Sequence, residues 1–314
     1  MKKYILNRIL WIIFTIIAAS IIAFTLMYFM PGDPAKALLG VDASEAVLQV
    51  KRTELGIDRP YIVQLGSWLY NAFLRFDFGD SWVYGTPVMD ELMVRLPRTL
   101  IIGISAMVIN VVLGTVLGIF AATHKDRWQD SLTMIIAMVF ISVPDFWVAL
   151  MFILLFSVHL GWLPAYGLDS WQCYILPIVC SSLGGIAINA RQGRSSMLEV
   201  INADYITTAR SKGQKEKTIV WKHMLPNAMM PIITGVGGGL AMVIAGSPIM
   251  ESVFSIPGVG AYMLVGINQR DRPIILACVT FFAAFTSLAM LLMDLCYAFL
   301  DPRIKAQYAG KKAQ

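Results

Sequence analysis

The residues best suited to chemistry are a few polar side chains inside long apolar stretches of the sequence. Asp145, Asp294 and Asn110 each fall in such a stretch, and Pro144 directly precedes Asp145. A carboxylate at bilayer depth costs several kcal/mol unless it faces protein or water. We therefore take Asp145 and Asp294 as candidates for lining a solute path.

Motifs for catalysis and for nucleotide binding are missing from the sequence. It contains no GxxxxGK[ST] loop, the usual backbone cradle for ATP phosphates. The histidines, His124, His159 and His223, lie in separate loops, and the four cysteines show no metal-ligand spacing. We expect no metal site, no cofactor bound by this chain and no enzyme activity.

The composition places the chain in a membrane. Of 314 residues, 57% are hydrophobic and 14% are charged, against about 45–50% apolar and about 25% charged in soluble domains. Apolar stretches of about 20 residues cross a hydrocarbon core of ~30 Å at ~1.5 Å per residue. The net charge is +5, and most of the basic residues in short loops flank these stretches. They therefore indicate orientation in a membrane and not nucleic-acid binding.

The apolar stretches predict an all-α membrane protein with six transmembrane helices. Their predicted ranges are 9–30, 98–122, 131–157, 175–193, 227–250 and 273–300. We expect three parts: the N-terminal tail and first helix at 1–30, an external cap at 31–97 and a five-helix core at 98–314.

The distribution of lysine and arginine predicts the orientation. With Arg191 counted at its helix end, sixteen of them lie on the segments predicted to be cytoplasmic and two in the short external loops. This asymmetry predicts that both termini lie in the cytoplasm. The predicted cytoplasmic segments are 1–8, 123–130, 194–226 and 301–314, and the external ones are 31–97, 158–174 and 251–272.

The external segment 31–97 carries signals for a small folded cap. Proline and glycine in Pro31-Gly32-Asp33-Pro34 end the first helix. Ser44 begins a helix that runs to Leu55, and Gly56 ends it. A second, aromatic-rich helix is predicted at Tyr61–Leu74.

Glycines at small-xxx-small spacing occur in two of the spans. Gly114 and Gly118 lie in the second span, and Gly235 and Gly239 lie in the fifth. This spacing lets helix backbones approach closely. It fits either tight helix packing or, at Gly235 and Gly239, a bare wall along a solute path.

The largest predicted cytoplasmic loop, 194–226, forms a compact helical knob. Apolar positions recur at helical spacing up to Ala209, and Gly213 ends the helix in a left-handed cap. A second helix at Lys215–Met224 leads to Leu225-Pro226.

This loop resembles the EAA loop of ABC importer permeases. That pattern is an EAA triplet, three residues, a glycine, nine residues and I-x-L-P. Here the triplet falls on Thr207-Thr208-Ala209, the glycine on Gly213 and the final pair on Leu225-Pro226. Thr207, Thr208 and His223 depart from the pattern, so a contact through the usual glutamate is not carried over.

Nearly the whole chain resembles the peptide, nickel and opine branch of these permeases. The matching phrases, in order, are PGDP (31–34), LGIDRP (55–60), FDFGDS (76–81), SVPDFW (142–147), WLPAYG (162–167), RSSMLEV (194–200), ADYITTARSKG (203–213), PGVG (257–260) and LDPRI (300–304).

The resemblance implies a type I importer permease. It implies a second homologous permease chain, two cytoplasmic ABC ATPases and an external solute-binding protein as partners. It also assigns the ATPase-coupling role to Asp204, Tyr205, Ala209, Arg210, Lys212, Gly213, Leu225 and Pro226. The candidate translocation path consists of Asp145, Gly235, Gly239 and Asp294.

The sequence leaves the solute open. Short peptides are the first expectation, and a nickel chelate or glutathione are the alternatives. An ion-coupled secondary transporter is the competing class, since it would use Asp145, Asp294 and Asn110 to coordinate ions at mid-membrane and would need no ATPase.

Overall fold

The computed structural model describes residues 2–40, 42–168, 170–229 and 248–300. These residues form helices and turns, with one isolated β-bridge between Asp80 and Pro87. The helices are α1 (Lys2–Phe29), α2 (Pro34–Leu39), α3 (Glu45–Glu54), α4 (Tyr61–Leu74), α5 (Val88–Thr123), α6 (Trp128–Ser142), α7 (Asp145–Phe152), α8 (Ile175–Ile201), α9 (Asp204–Ser211), α10 (Glu216–Thr218), α11 (Pro248–Val253), α12 (Val259–Gln269) and α13 (Arg272–Leu300). The π-helical turns Ile153–His159 and Ile219–Met224 continue α7 and α10, and the 3-10 turn Trp171–Tyr174 precedes α8.

Five of the six predicted spans correspond to helices of the described residues. Four helices are long and apolar enough to cross a membrane, and the bent pair α6 and α7 makes a fifth span when counted as one. The remaining prediction, 227–250, falls mostly on 230–247, which lies outside the described residues.

The second span begins ten residues earlier than predicted, since α5 starts at Val88 and contains Pro97. Proline inside a helix removes a hydrogen bond and costs about 3 kcal/mol. Val88 and Leu92 are fully buried in a core with Tyr262 and Ile274. This packing holds the extra helical turns in place against the cost of the proline.

The third span, predicted as continuous over 131–157, is broken. α6 ends at Ser142, α7 begins at Asp145, and the two helices meet at a bend of 101°. Val143 is extended, with φ −87° and ψ 131°, a conformation that the following proline favours by disfavouring the helical region. Pro144 therefore changes the direction of the chain inside the span.

The fourth span was predicted to end at residue 193, but α8 continues to Ile201. In the structure Arg194 donates to the buried Asp130 carboxylate through two bonds of 2.5 and 2.7 Å. A bidentate pair of this kind satisfies the charge and holds α8 against α6.

The described residues divide into two compact units. The first holds 2–99, 248 and 257–300, and the second holds 100–229 and 249–256. In the first unit α1 packs along α13, where the hydroxyls of Ser20 and Thr280 lie 2.9 Å apart. In the second unit α8 packs on α6 and α7.

The cap segment folds largely as predicted. α1 ends at Phe29, before Pro31-Gly32, and α4 has the predicted bounds. One helix was missed: Asp33 accepts a bond from Ala35 N at 3.0 Å and begins α2. Ser44 precedes α3, although its side chain makes no capping bond.

An ion pair ties the start of α2 to the end of α3. Arg52 donates to the Asp33 carboxylate at 2.6 and 3.0 Å and also contacts Glu45. The hydrogen bonds from Arg52 lower the pKa of Asp33 below its usual value. The same bonds, which Arg52 donates to Asp33 and to Glu45, raise the pKa of Arg52.

Gly114 and Gly118 bring α5 against α8, which confirms the tight-packing prediction for this pair. A Cβ at Gly114 would lie 2.5 Å from Asn189 Cβ, and one at Gly118 would lie 2.7 Å from the Ala190 carbonyl oxygen. Neither position has room for a methyl group.

We predict that Gly118→Ala destabilises the protein by about 1–3 kcal/mol, the usual cost of overpacking. Gly66→Ala is the matched control because a Cβ at Gly66 in α4 meets nothing within 4 Å. That control should be neutral or stabilising by up to about 1 kcal/mol, since alanine favours helix. Thermal unfolding in detergent, followed by size-exclusion chromatography, compares the two. Equal melting temperatures would refute the close contact.

We predict that the Asp33–Arg52 pair stabilises the cap in a pH-dependent way. Because the folded pKa of Asp33 is lowered, its contribution is present above the unfolded pKa of about 3.9 and is lost as pH falls through the folded pKa. Asp33→Asn should therefore speed pepsin cleavage of 34–55 by a larger factor at about pH 4.5 than at about pH 2. An equal rate ratio at both pH values would contradict this.

Candidate coupling and translocation sites

Residues 204–224, here called the coupling knob, form a helical hairpin. α9 begins after an extended residue, Ala203, and carries Asp204 in its first turn. A carboxylate at this end stabilises the helix through its dipole. α10 and its π-helical continuation return along the hairpin to Met224.

The elbow of the knob is a Schellman turn. Gly213 has φ +72°, its N–H donates to Arg210 O at 2.9 Å, and Gln214 N donates to Ala209 O at 3.4 Å. These two bonds satisfy the last carbonyls of α9 and require a left-handed residue at Gly213. The predicted left-handed glycine cap is confirmed.

A small apolar core makes the knob rigid. Ile206 and Ala209 of α9 are buried against Ile219, Val220 and Met224 of the π-helical turn that continues α10. Met197 near the end of α8 and Ile119 and Ala122 of α5 belong to the same core. The knob is therefore packed on the spans of its own unit, and a displacement of the knob is transmitted to them.

Arg210 links three parts of this region. Its guanidinium donates to Glu216 at 2.7 and 3.0 Å, across the glycine elbow, and to Ile201 O at 3.4 Å. Because the Arg210–Glu216 pair is exposed, it contributes little stability. It joins α9 to α10 across the elbow, and the apolar core holds the two helices together.

The structure separates the predicted coupling residues into surface and interior. Asp204, Tyr205, Arg210, Lys212, Gly213 and Pro226 are exposed, and Leu225 is half-buried. Ala209 is buried, so it supports the knob through packing and presents no side chain to a partner.

The polar residues inside the spans meet around α8. Asn189 Nδ2 donates to Asn110 Oδ1 at 3.0 Å, which joins α8 to α5. Asp145, in the first turn of α7, is exposed, and a Cβ at Gly184 would lie 3.5 Å from its Oδ1. Asp145 and Asn110 thus reach adjacent glycines, Gly184 and Gly185, of one helix.

Three residues of the predicted path lie beyond what the structure describes. Gly235 and Gly239 fall within 230–247, outside the described residues. Asp294 belongs to α13, but its side chain is outside the described part of the chain.

Sequence reasoning missed several functional candidates. Glu216 was not predicted as a site residue. Its position was a usable signal, because an acid shortly after the Gly213 elbow can pair with Arg210 before it. Asn189 faces Asn110 from 79 residues away, and no local pattern indicates that contact. Arg191, Gln192, Ser195 and Glu199 are exposed on α8 and line a cavity of about 410 Å³ with Ile188.

Two family descriptions match the chain. Residues 114–306 match the “Binding-protein-dependent transport system inner membrane component” family, and residues 1–103 match the N-terminal part of such a membrane component. The chain belongs to this family. It is a multi-pass inner-membrane transport component, and not an enzyme.

Curated relatives place the permease more narrowly. The glutathione transport system permease protein GsiC of Escherichia coli (strain K12) is 39% identical over 305 residues, which are 97% of this chain and 99% of the relative. GsiC of Shigella flexneri serotype 5b (strain 8401) matches to the same extent. These findings confirm the predicted branch of ABC importer permeases.

A solved structure shares the fold. The permease superposes on a chain of the methionine ABC transporter MetNI, in inward-facing conformations, with a TM-score of 0.56. The match has 18% identity and covers 68% of the permease and 97% of that chain. It confirms the all-α type I importer fold. Family membership implies an ATPase, a solute-binding protein and a second permease as partners.

We predict that Gly213→Val abolishes transport and leaves ATP hydrolysis uncoupled, while Gly213→Asn retains most of both. The space around Gly213 is open, so the two substitutions differ only in how well they tolerate its left-handed φ. Asparagine adopts that conformation more readily than a β-branched residue such as valine. Solute uptake and solute-stimulated ATPase activity, with membrane insertion checked, measure the difference. Wild-type uptake by Gly213→Val would show that the elbow is not needed.

Proposed function

We propose that this permease forms the path by which an ATP-driven importer brings short peptides into the cell. GsiC is named for glutathione, which is itself a tripeptide, and this relationship supports a peptide-like solute. Glutathione is therefore the first alternative within the class, and a nickel chelate is the second.

The coupling knob supports the proposed connection to the ATPase. Its exposed face carries Asp204, Tyr205 and Lys212 on a frame fixed by Gly213 and the buried Ala209. A rigid, surface-mounted helix is suited to a groove on another protein. In this proposal Tyr205 is the apolar anchor, and Arg210 and Glu216 set the angle at which α9 is presented.

The proposed assembly contains this chain, a second homologous permease, two cytoplasmic ATPases and an external solute-binding protein. The nucleotide is bound by the ATPases, and this chain carries no cofactor of its own. Both termini and the coupling knob lie in the cytoplasm, and the cap at 31–97 faces outward, where it receives the solute-binding protein. The excess of lysine and arginine on the knob side supports this orientation.

One face of α8 is the proposed wall of the solute path. Gly184, Ile188, Gln192, Ser195 and Glu199 follow one another at helical spacing, so they share a face. Asp145 lies at the Gly184 end, and the exposed polar residues continue toward the knob. Polar side chains within a span do not face lipid, so this face is turned toward water or protein.

We predict that Asp145→Asn weakens uptake of peptides with a free amino terminus. The carboxylate would attract the cationic end of the solute. Loss of one such contact should raise the solute concentration at half-maximal uptake about tenfold. Asp90→Asn, another exposed aspartate, is the control and should leave uptake unchanged. An equal effect of both variants would remove Asp145 from the path.

The function itself is tested by purification and reconstitution. The tagged chain, extracted in mild detergent, should bring down a second permease and ATPases that mass spectrometry identifies. In vesicles the complex should import labelled dipeptide or glutathione only with ATP and the receptor, and unlabelled competitors rank the solutes. Recovery of the chain alone, with uptake driven by an ion gradient, would establish the secondary-transporter class instead.

A further inference from the structure

A cavity of about 410 Å³ in the first unit is lined by three arginines and one carboxylate. The arginines are Arg52, Arg270 and Arg272, and the carboxylate is Asp33. Met27, Tyr28 and Met30, from the end of α1 and the turn after it, form one wall. Because Asp33 is paired with Arg52, the other two guanidinium groups give the cavity a net positive charge.

Arg272 is held in a fixed position. Its guanidinium carbon lies 4.0 Å from the centre of the Phe24 ring, and its Nη1 donates to Gln64 Oε1 at 3.0 Å. The Gln64 amide is itself fixed by donating to the carbonyls of Ile57 and Arg59. Among the described residues no carboxylate pairs with Arg272, so most of its five donors remain available.

Arg270 reaches the same cavity through a strained backbone. Its φ is +56°, the left-handed conformation that a non-glycine residue rarely adopts. The side chain donates to Pro31 O at 3.0 Å and lies directly over Gly32, where a Cβ would collide with it. No carboxylate within the described part of the chain pairs with Arg270 either.

The acid between the two arginines is turned away from them. Asp271 is fully buried and accepts bonds from Ser81 Oγ at 2.6 Å and Val83 N at 3.1 Å. The Asp271 carboxylate is thus hydrogen-bonded to the 81–83 turn and does not pair with either arginine. The Arg-Asp-Arg sequence is split so that both cations face the cavity and the anion does not.

The cavity lies at the ends of two candidate membrane spans. Tyr28 is in the last turn of one span, and Arg272 is the first residue of another. Beside the cavity, Leu26 and Phe29 of α1 are 68% and 73% exposed, as suits side chains that contact lipid tails. The two cations are therefore at the depth where lipid phosphates are concentrated, beside a surface for acyl chains.

We infer that this cavity binds a phosphate group, and that its source is the headgroup of an anionic phospholipid. Arg272 and Arg270 approach from neighbouring elements and present guanidinium forks, which match phosphate oxygens. The bound lipid would join the end of α1 to the start of α13. This site would bind a membrane lipid and is separate from the proposed path of the transported solute.

The test is native mass spectrometry of the full chain with its co-purifying subunits. The delipidated protein is titrated with phosphatidylglycerol, and bound lipid per chain is measured. Arg270→Gln should weaken binding by about tenfold, the value of one charge-assisted contact. Arg75→Gln is the matched control, because Arg75 lies on Tyr70 in the same predicted external cap but does not line the cavity.

The outcomes separate the two sources of phosphate. Lipid binding that falls in Arg270→Gln alone, and that millimolar inorganic phosphate does not displace, supports the lipid headgroup. Displacement by inorganic phosphate would support the phosphate site but assign it to the free ion. Identical titrations of the wild type, Arg270→Gln and Arg75→Gln would overturn the proposal. Arg270 is exposed, so its variant should fold, and the melting temperature verifies that.

Discussion

A peptide group in the bilayer core finds no water, so each N–H and C=O there must be bonded within the chain. This constraint makes the spans helical and confines every break to a place where other groups take over. At Pro144 the freed segment is short, and α7 resumes at Asp145 after two residues. In the knob, which is proposed to lie outside the bilayer, the Schellman bonds around Gly213 satisfy the end of α9 in the same way. Asp145 and α9, which hold candidate site residues, lie directly beside these two breaks.

The same constraint explains the packing of α5 on α8. Lipid tails are as apolar as leucine, so burial alone gives helices little reason to associate, and close backbone contact must replace it. Gly114 and Gly118 give that approach, and the Asn110–Asn189 bond adds a polar contact beside them. The Asp130–Arg194 pair then fixes α8 on α6. Three kinds of contact, each needing a specific partner, hold one helix in register.

Sequence reasoning succeeded where the signal was local. Pro31-Gly32 ended α1, Gly213 closed α9, and the aromatic periodicity of Tyr61–Leu74 gave α4. It failed where the outcome depended on distant residues. The early start of α5 depends on a core with Tyr262 and Ile274, and the contact of α8 with α6 depends on Asp130, 64 residues before Arg194. The arginine cavity joins residues 208 apart in sequence, as Gln64 and Arg272 show, so no window of the chain reveals it.

α8 connects the two candidate sites mechanically. Its last turns pack through Met197 into the core of the coupling knob, and its middle carries Asn189 and the glycines beside Asn110 and Asp145. Ile175–Ile201 is unbroken, and a helix of 27 residues spans about 40 Å at ~1.5 Å per residue. A rigid element of that length moves as one body, whereas a flexible loop would absorb the motion. Because α8 packs both into the core of the coupling knob and beside Asp145, we expect a displacement of the knob to change the surroundings of Asp145.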